Sequence, residues 1–395
     1  MLPSARARRA TKAVVTKWGT MRRNVLGAVA VTIVSIAMVL LAEVVLRLTG
    51  RPGAPIVGWA SGRPGEQNQF GFRGHRFDPT ADVRVVLLGD SQVEAYAVAF
   101  DDMPGRQLQR TLAASMRSSV SVVSIGSGGW GQDQELLTLQ AHITAVRPSA
   151  VVLWFTEDND LWNNTFPTHF PKDGTPKPTF WLEGTKLEGP NVPWLEAYRP
   201  PGLYLAQAVR RVRGVPIYPT DAEWERRLPP PYRASAPSNG AVSLMKRLAE
   251  VRGVRVDELP YFNDENFDTE KTHYNTYLVP ESPRLTYSAA LTRALLFRIR
   301  DLSEANGARF FILIAEHSLP IPDPPTMFEV HGKGYWLSAA ARRALHARVV
   351  EGLPTIRVTG TPSDAVVSKT DRHWNTEGNE YVMDSLGRRL ASELR

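Results

Sequence analysis

Residues 83–97 read VRVVLLGDSQVEAYA, and this stretch decides the fold. The apolar block 85–88 is typical of a buried strand in an α/β sheet, and Gly89 lets the chain turn where that strand ends. Ser91 is therefore expected at the carboxyl end of a strand, where open α/β sheets place their ligands. A serine there acts as a nucleophile only with a base and an oxyanion site. Taken alone, Gly-Asp-Ser is equally the pattern of a polar turn.

Strands and helices are predicted to alternate along the chain. Such alternation indicates an α/β fold, a three-layer sandwich with a parallel sheet and helices on both faces. The predicted strands are 83–88, 120–125, 150–155, 309–315 and 355–358, and the predicted helices are 104–117, 132–146, 285–306, 337–350 and one from 376.

The alternation breaks between about residues 161 and 283, a segment rich in Pro, Trp, Tyr and charge. We interpret it as an insertion at the carboxyl edge of the sheet, with a possible helix near 241–251. Its aromatic side chains could wall a substrate cleft or form a small core of their own; they include Trp162, Phe166, Phe180, Trp181, Trp194 and Tyr198.

Positive charge is concentrated at the N-terminus. Of the 47 Lys and Arg residues, eight lie in residues 1–50 with only one of the 40 acidic residues, so 39 of each sign remain and the rest of the chain is neutral. This balance gives no support for a nucleic-acid partner. The chain has no cysteine, which excludes disulfides, zinc–thiolate sites and a cysteine nucleophile.

Residues 25–46 form an apolar stretch long enough to span a bilayer as a helix. The basic residues before it predict a cytoplasmic N-terminus and a chain that lies mostly outside the membrane. A cleaved signal peptide is the alternative, but a cut after Ala42 would place Leu40 where a small residue is needed. We expect a basic tail at 1–24, a single transmembrane helix at 25–46, a linker and entry segment at 47–82, and one domain at 83–395 with an insertion at about 161–283.

Two polar loops follow the second and third predicted strands. Residues 125–134 read IGSGGWGQDQ and satisfy G-x-G-x-x-G, but they follow the second strand, whereas a dinucleotide-binding loop follows the first. The alternative is a loop whose backbone N–H points at an oxyanion near Ser91. In residues 156–160, TEDND, Asn159 could donate to the same oxyanion, or cap a turn. The neighbouring acids, Glu157, Asp158 and Asp160, could instead hold Mg²⁺ or Ca²⁺.

Residues 370–378, TDRHWNTEG, precede the last predicted helix. His373 and Asp371 can form a base and its orienting carboxylate, with Nε2 left to face a serine. A surface capping arrangement would give the same pattern. His317, which follows the strand 309–315 and has Glu316 beside it, is a rival base.

Four sequence blocks thus follow one another: Gly-Asp-Ser at 89–91, the glycine loop around Gly129, the loop around Asn159, and the segment with Asp371 and His373. In this order they resemble the SGNH hydrolase family, also called GDSL-like, which has a flavodoxin-like fold. The resemblance implies that Ser91 is the nucleophile, His373 the base and Asp371 its orienter. It also implies an oxyanion hole formed by Ser91 N–H, Gly129 N–H and the Asn159 side chain. No cofactor or metal is implied.

The resemblance is closest to a membrane-anchored bacterial branch, which often carries an Asn-x-x-Gly-Phe-Arg-Gly stretch, here residues 68–74, NQFGFRG. Two positions depart from the family. Glu157 stands where glycine is usual, and it would oppose oxyanion stabilisation if it pointed inward. The Asp-x-His spacing is one residue shorter than the common form, a variant also found in acetyl-transferring relatives.

Three functions are consistent with the sequence. The first is an esterase or acyltransferase outside the cytoplasmic membrane, acting on O-acyl groups of envelope glycans or lipids. The second is a non-catalytic glycan-binding or assembly module on the same fold, and the third is a dinucleotide-binding protein.

Overall fold

The computed structural model describes the chain in segments that fall into two compact units. The units are Met1–Gly53 with Pro200–Ile217, and Ala54–Arg199 with Tyr218–Arg395. The described residues are 5–49, 65–157, 159–165, 177–190, 203–206, 209, 213, 247–251, 253, 274–316, 321–330, 333–362, 364–367, 371 and 373–395.

The first unit contains a single long helix, α1 (Ala5–Thr49). Within it, Asn24–Leu46 has a mean hydropathy of 2.7 over 23 residues and is long and apolar enough to cross a membrane. Glu43 accepts hydrogen bonds from the backbone N–H groups of Tyr204 and Leu205, at 3.0 and 2.9 Å. The predicted span at 25–46 thus coincides with this apolar helix, although a signal sequence would have the same length and composition.

The second unit is built on a five-stranded parallel sheet in the order β10-β7-β3-β1-β2. Numbered along the chain, this order is 2-1-3-4-5, that of flavodoxin-like doubly wound sheets. The strands are β1 (Val83–Gly89), β2 (Val120–Gly126), β3 (Ala150–Trp154), β4 (Trp181–Glu183), β5 (Lys186–Glu188), β6 (Leu278–Val279), β7 (Arg309–Ala315), β8 (Phe328–Val330), β9 (Lys333–Leu337) and β10 (Thr355–Val358).

Helices cover both faces of the sheet and complete the three-layer α/β sandwich predicted from the sequence. Leu108, Val382 and alternate β1 residues such as Val85 form one core, whereas Val86 packs with Leu295 in the other. The helices are α2 (Ser91–Glu94), α3 (Pro104–Met116), α4 (Gln132–Val146), α5 (Asp160–Thr165), α6 (Pro283–Ala305), α7 (Ala339–Val350) and α8 (Thr376–Glu393).

The start of α8 is fixed by a side-chain cap. Asn375 accepts a hydrogen bond from Gly378 N–H at 2.8 Å, the contact that Asn makes at a helix N-cap. An added Cβ at Gly378 would lie 2.2 Å from the Ala365 carbonyl oxygen, so only glycine fits in this first turn. Because His373 lies two residues before the cap, the cap also fixes the end of the loop that carries it.

The 68–74 segment covers the edge strand β2. Asn68 Nδ2 donates to the Ser124 carbonyl at 2.9 Å, and the Asp78 N–H donates to Ser121 Oγ at 2.8 Å. Exposed edge strands are prone to pair with other chains. Residues 68–78 therefore cover this edge, through the Asn68 side chain and the Asp78 backbone, which explains part of the sequence pattern there.

The 161–283 segment differs from the regular α/β alternation, as expected. Its described parts include most of α5, the β4–β5 hairpin and β6. Residues 247–251 are helical, while the remainder of the helix predicted at 241–251 lies outside the described residues. The helix predicted at 337–350 begins at Ala339, because β9 occupies Lys333–Leu337.

The aromatic side chains of this segment are mostly buried where they are described. Phe180 joins a core cluster and Trp162 is buried, whereas Trp181 is 37 % exposed. Burial of the first two favours packing over lining a cleft. Phe166, Trp194 and Tyr198 lie outside the described residues.

Candidate active site

Ser91 begins the short helix α2 directly after β1 and is 9 % exposed. Asp90 caps this helix by accepting a hydrogen bond from the Gln92 N–H at 2.9 Å. An added Cβ at Gly89 would lie 2.6 Å from Val93 Cγ2, so the close return of the helix onto the strand requires glycine. The strand–turn–helix thus places Ser91 at the carboxyl edge of the sheet, as predicted.

His373 and Asp371 form the expected pair. Asp371 Oδ1 lies 2.6 Å from His373 Nδ1 and accepts a second hydrogen bond, of 3.1 Å, from the His373 backbone N–H. The hydrogen bond from the His373 side chain is the main cause that lowers the pKa of Asp371 to about 2. An ionised Asp371 that holds Nδ1 leaves Nε2 to exchange a proton elsewhere.

Two contacts bring this pair to the Ser91 helix. The Trp374 N–H donates to Gln92 Oε1 at 3.3 Å, and the Tyr96 ring packs edge-on against the His373 ring with centroids 4.9 Å apart. Ser91 Oγ makes no hydrogen bond to any residue that the structure describes. In the described chain, Ser91 and His373 are therefore linked through Gln92 and Tyr96 and not by a hydrogen bond of their own, as is common for such pairs before a substrate binds.

The glycine loop after β2 lies against α2. An added Cβ at Gly128 would be 3.9 Å from Ser91 Cβ, and the Gly128 N–H donates to Glu94 Oε2 at 2.5 Å. Gly129 adopts φ +72°, a conformation that favours glycine. Within the described part of the chain, the N–H groups of Ser91 and Gly129 donate to no acceptor. The loop thus approaches Ser91 closely, as the oxyanion interpretation requires.

Asn159 is joined to the Ser91 turn through Asp90. Its Nδ2 donates to Asp90 Oδ2 at 3.2 Å, and Thr156 Oγ1 donates to Asp90 Oδ1 at 3.0 Å. A carboxamide carries two N–H bonds, so one can hold Asp90 while the other serves an oxyanion. Burial raises the pKa of Asp90, which is fully enclosed.

The sequence predicts that Glu157 would oppose an oxyanion only if it pointed inward, and the structure places its carboxylate against side chains of α7 and β10. Its carboxylate lies 2.8 Å from His346 Nδ1, 3.1 Å from Arg342 Nη2 and 3.9 Å from Arg357 Nη1. Burial alone would raise its pKa, but His346 and the two arginines outweigh burial and lower it to about 2. The negative charge of Glu157 is therefore balanced within this buried cluster.

A buried polar layer lies beside the candidate site. Gln132 Nε2 donates to Asp160 Oδ2 at 2.7 Å and contacts Glu135 Oε2 at 3.3 Å. Burial raises the pKa values of Asp160 and Glu135, and repulsion from the buried Asp90 carboxylate raises both further. Among the described residues, which omit Asp158, no group of three or more His, Asp or Glu is arranged to hold a metal ion.

Other histidines considered from the sequence are placed differently. His75 pairs with Asp101 at 3.1 Å and stacks on Phe100. The rival base His317 lies outside the described residues.

Sequence analysis missed two residues, Tyr96 and Arg73. Tyr96 OH donates to Asp371 Oδ2 at 3.1 Å, and Arg73 binds backbone carbonyls in the loop that carries Tyr96. Their only sequence signals are the position of Tyr96 five residues after Ser91 and the position of Arg73 in the NQFGFRG segment.

Comparison with known proteins gives little further guidance. No protein-family model and no curated protein matches the chain. Among solved structures, it is similar to the lipase Lip_vut3 from a goat rumen metagenome, at 9 % identity and a TM-score of 0.35, over 79 % of this chain and 100 % of that one. At that TM-score the similarity carries no argument about function.

Proposed function

We propose that this chain is a serine ester hydrolase of the SGNH type. The observation that carries the proposal is the Asp371–His373 pair, with its 2.6 Å contact, tied to the helix that begins with Ser91. These residues lie far apart in sequence. If Gly-Asp-Ser were only a polar turn after β1, nothing would require an Asp–His pair to lie beside it. Their convergence at the carboxyl edge of a parallel sheet supports one catalytic site.

In the proposed reaction, Ser91 Oγ attacks an ester carbonyl carbon while His373 Nε2 takes the hydroxyl proton. The tetrahedral oxyanion accepts hydrogen bonds from Ser91 N–H, Gly129 N–H and the second N–H of Asn159. His373 then gives its proton to the leaving alcohol, and an acyl-serine remains. Water attacks the acyl carbon, His373 takes a water proton and returns it to Ser91 Oγ, and a carboxylic acid leaves.

The electrostatics of the pair suit this cycle at neutral pH. Because its pKa lies at about 2, Asp371 stays ionised and stabilises the imidazolium that forms at each step. Glu157, which stands where the family usually has glycine, is paired with Arg342 and His346. Both features support activity near pH 7.

We further propose that the reaction takes place outside the cytoplasmic membrane. The basic residues before the apolar span Asn24–Leu46 favour an N-terminus inside and an uncleaved single-pass anchor in the lipid bilayer. The substrates would then be O-acyl esters, O-acetyl above all, of envelope glycans or lipids. The domain limits follow the same proposal, with a linker and entry segment at 47–82, of which residues 68–78 pack on β2, and the catalytic domain at 83–395.

The test uses the full chain in mild detergent with p-nitrophenyl acetate and longer-chain esters. We expect Ser91→Ala and His373→Ala to abolish release of p-nitrophenol. Asn159→Ala should lower turnover by about 10²–10³, the usual effect of removing one oxyanion donor. His75→Ala is the matched control, because His75 also pairs with a carboxylate, Asp101 at 3.1 Å, and should retain full activity.

Hydrolysis and acyl transfer use the same triad, and the short Asp-x-His spacing keeps O-acetyl transfer as the second candidate. Adding a sugar alcohol should leave the products unchanged for a hydrolase, whereas a transferase would give acylated sugar. Equal background rates in wild type, Ser91→Ala and His373→Ala would contradict both activities and favour the glycan-binding module.

A further inference from the structure

Tyr96 contacts both members of the Asp371–His373 pair. Its hydroxyl donates to Asp371 Oδ2 at 3.1 Å, the oxygen that His373 does not use, and lies 3.4 Å from His373 Nδ1. Its ring meets the imidazole at an interplanar angle of 71°. The two carboxylate oxygens of Asp371 are thus held from two directions.

The exposure of Tyr96 indicates that these contacts are not a by-product of core packing. The side chain is 52 % exposed, whereas Val93 on the same turn is fully buried. A half-exposed tyrosine adds little to the hydrophobic core. A carboxylate held at one oxygen can rotate about its Cβ–Cγ bond, whereas one held at both cannot, so Tyr96 fixes the plane in which Asp371 presents its charge.

Arg73 holds the loop that presents Tyr96. Its buried guanidinium donates to the carbonyls of Glu94, at 3.2 Å, of Val98, at 2.9 Å, and of Ala95. Ala95 adopts φ +49°, an unfavourable conformation for a residue with a side chain. The three hydrogen bonds offset that cost and set the direction in which Tyr96 leaves helix α2.

We propose that Tyr96 is a positioning residue, which holds the Asp371–His373 pair in the orientation that turns His373 Nε2 toward Ser91. Arg73, through the loop at residues 94–98, holds Tyr96 in turn. This inference rests on the proposed esterase function and extends it to two residues outside the four sequence blocks. It also gives the Arg of the NQFGFRG segment a part in building the site.

The surroundings of His373 define what a pH profile would report. Among the residues that the structure describes, Asp371 and Tyr96 act on it by contact and Asp90 acts through its charge. Glu94, on the same helix as Ser91, is instead bound to the Gly128 N–H. Removing the Tyr96 hydroxyl takes away the hydrogen bond that it donates to Asp371 Oδ2, and a pH–rate profile is the readout of that change.

The experiment compares Tyr96→Phe with wild type in the full chain in detergent. We expect kcat for p-nitrophenyl acetate to fall about tenfold, equivalent to about 1.4 kcal/mol, with KM unchanged. The pH–rate profile should also differ from that of wild type, because Asp371 Oδ2 loses the hydrogen bond from Tyr96. Tyr381→Phe is the matched control, since Tyr381 is also partly exposed and donates to a carbonyl, Thr359 O at 2.8 Å; its profile should match wild type.

Two readouts separate failure of this inference from failure of the esterase proposal. Ser91→Ala decides the esterase proposal on its own. The second readout needs no turnover: the downfield ¹H signal of the His373 Nδ1 proton, assigned by its loss in His373→Ala, should shift or broaden in Tyr96→Phe. An unchanged signal together with a wild-type pH profile would overturn the positioning role, whatever the activity of Ser91→Ala.

Discussion

Replacing Glu157 by Gln tests whether this acid stabilises the fold or disturbs the candidate site. In the structure its carboxylate is 6 % exposed and faces Arg342 and His346 of α7, with Arg357 of β10 further away. A Gln side chain keeps the shape and removes the charge. The two groups on α7 then remain buried without their anion.

The size of the effect follows from the pKa of Glu157. It falls from the usual 4.5 to about 2, and each pKa unit corresponds to about 1.4 kcal/mol, so the ionised carboxylate contributes about 3 kcal/mol to folding stability at pH 7. Removal of one partner from a buried ion pair costs about 3–5 kcal/mol in other proteins, which agrees. Because the folded-state pKa is depressed, this contribution is present above about pH 4.5 and is lost as the pH falls toward 2.

The assay is urea unfolding of the full chain in detergent, followed by tryptophan fluorescence between pH 3 and pH 7. We expect Glu157→Gln to be less stable than wild type by about 3 kcal/mol at pH 7, with the difference shrinking as the pH falls. Glu316→Gln is the matched control, since Glu316 also meets Arg357, at 3.5 Å, but is 39 % exposed, and it should change stability by less than about 1 kcal/mol.

Two results would refute this reasoning. One is a difference in stability at pH 7 no larger than that of the Glu316→Gln control, or one that does not change with pH. The other is a rise in ester turnover in Glu157→Gln, since that is what removal of an acid facing the oxyanion would produce.

Two further substitutions test the packing around the site. An added Cβ at Gly126 would lie 2.8 Å from the Gly89 carbonyl oxygen and 3.0 Å from that of Asp90. Gly126→Ala should therefore lower the free energy of unfolding in urea by about 1–3 kcal/mol and lower ester turnover. Gly334→Ala is the control and should do neither, because the added Cβ would meet a flexible Met327 methyl. Lys177 is the cation beside buried Asp133; Lys177→Met should cost about 3–5 kcal/mol, and Asp133→Asn in the same chain should recover part of it. A single-variant cost below about 1 kcal/mol would contradict the pairing.

Much of the fold could be predicted because its signals are local. The central strands β1, β3 and β7 are buried on both faces along most of their length, so they appear in the sequence as continuous apolar blocks such as 85–88, whereas the edge strand β10 alternates. The helix starts at Pro283 and Thr376 follow capping residues, Ser282 and Asn375. The 161–283 segment has no such periodicity, and there the sequence predicted only that regular alternation would stop.

The partners of the site residues were harder to predict because they come from distant parts of the chain. The environment of Glu157 could not be predicted because its contacts, Arg342 and His346, lie on α7, far along the sequence. Tyr96 lies beside the nucleophile block, but its contact with Asp371 depends on the loop held by Arg73. Spacing finds candidate acids, bases and nucleophiles, whereas long-range packing decides which charges are balanced.

Asp90 shows why two of the sequence blocks act as one structural unit. Its carboxylate takes hydrogen bonds from the Gln92 N–H after β1 and from Thr156 and Asn159 after β3. These bonds fix the Asn159 amide relative to Ser91 N–H. In the proposed reaction, the oxyanion is carried by the carbon that bonds to Ser91 Oγ, so its hydrogen-bond donors must be held rigidly relative to Ser91. In the same proposal, His373 only transfers a proton and can come from a separate loop, one whose Asp371 is bound by Tyr96.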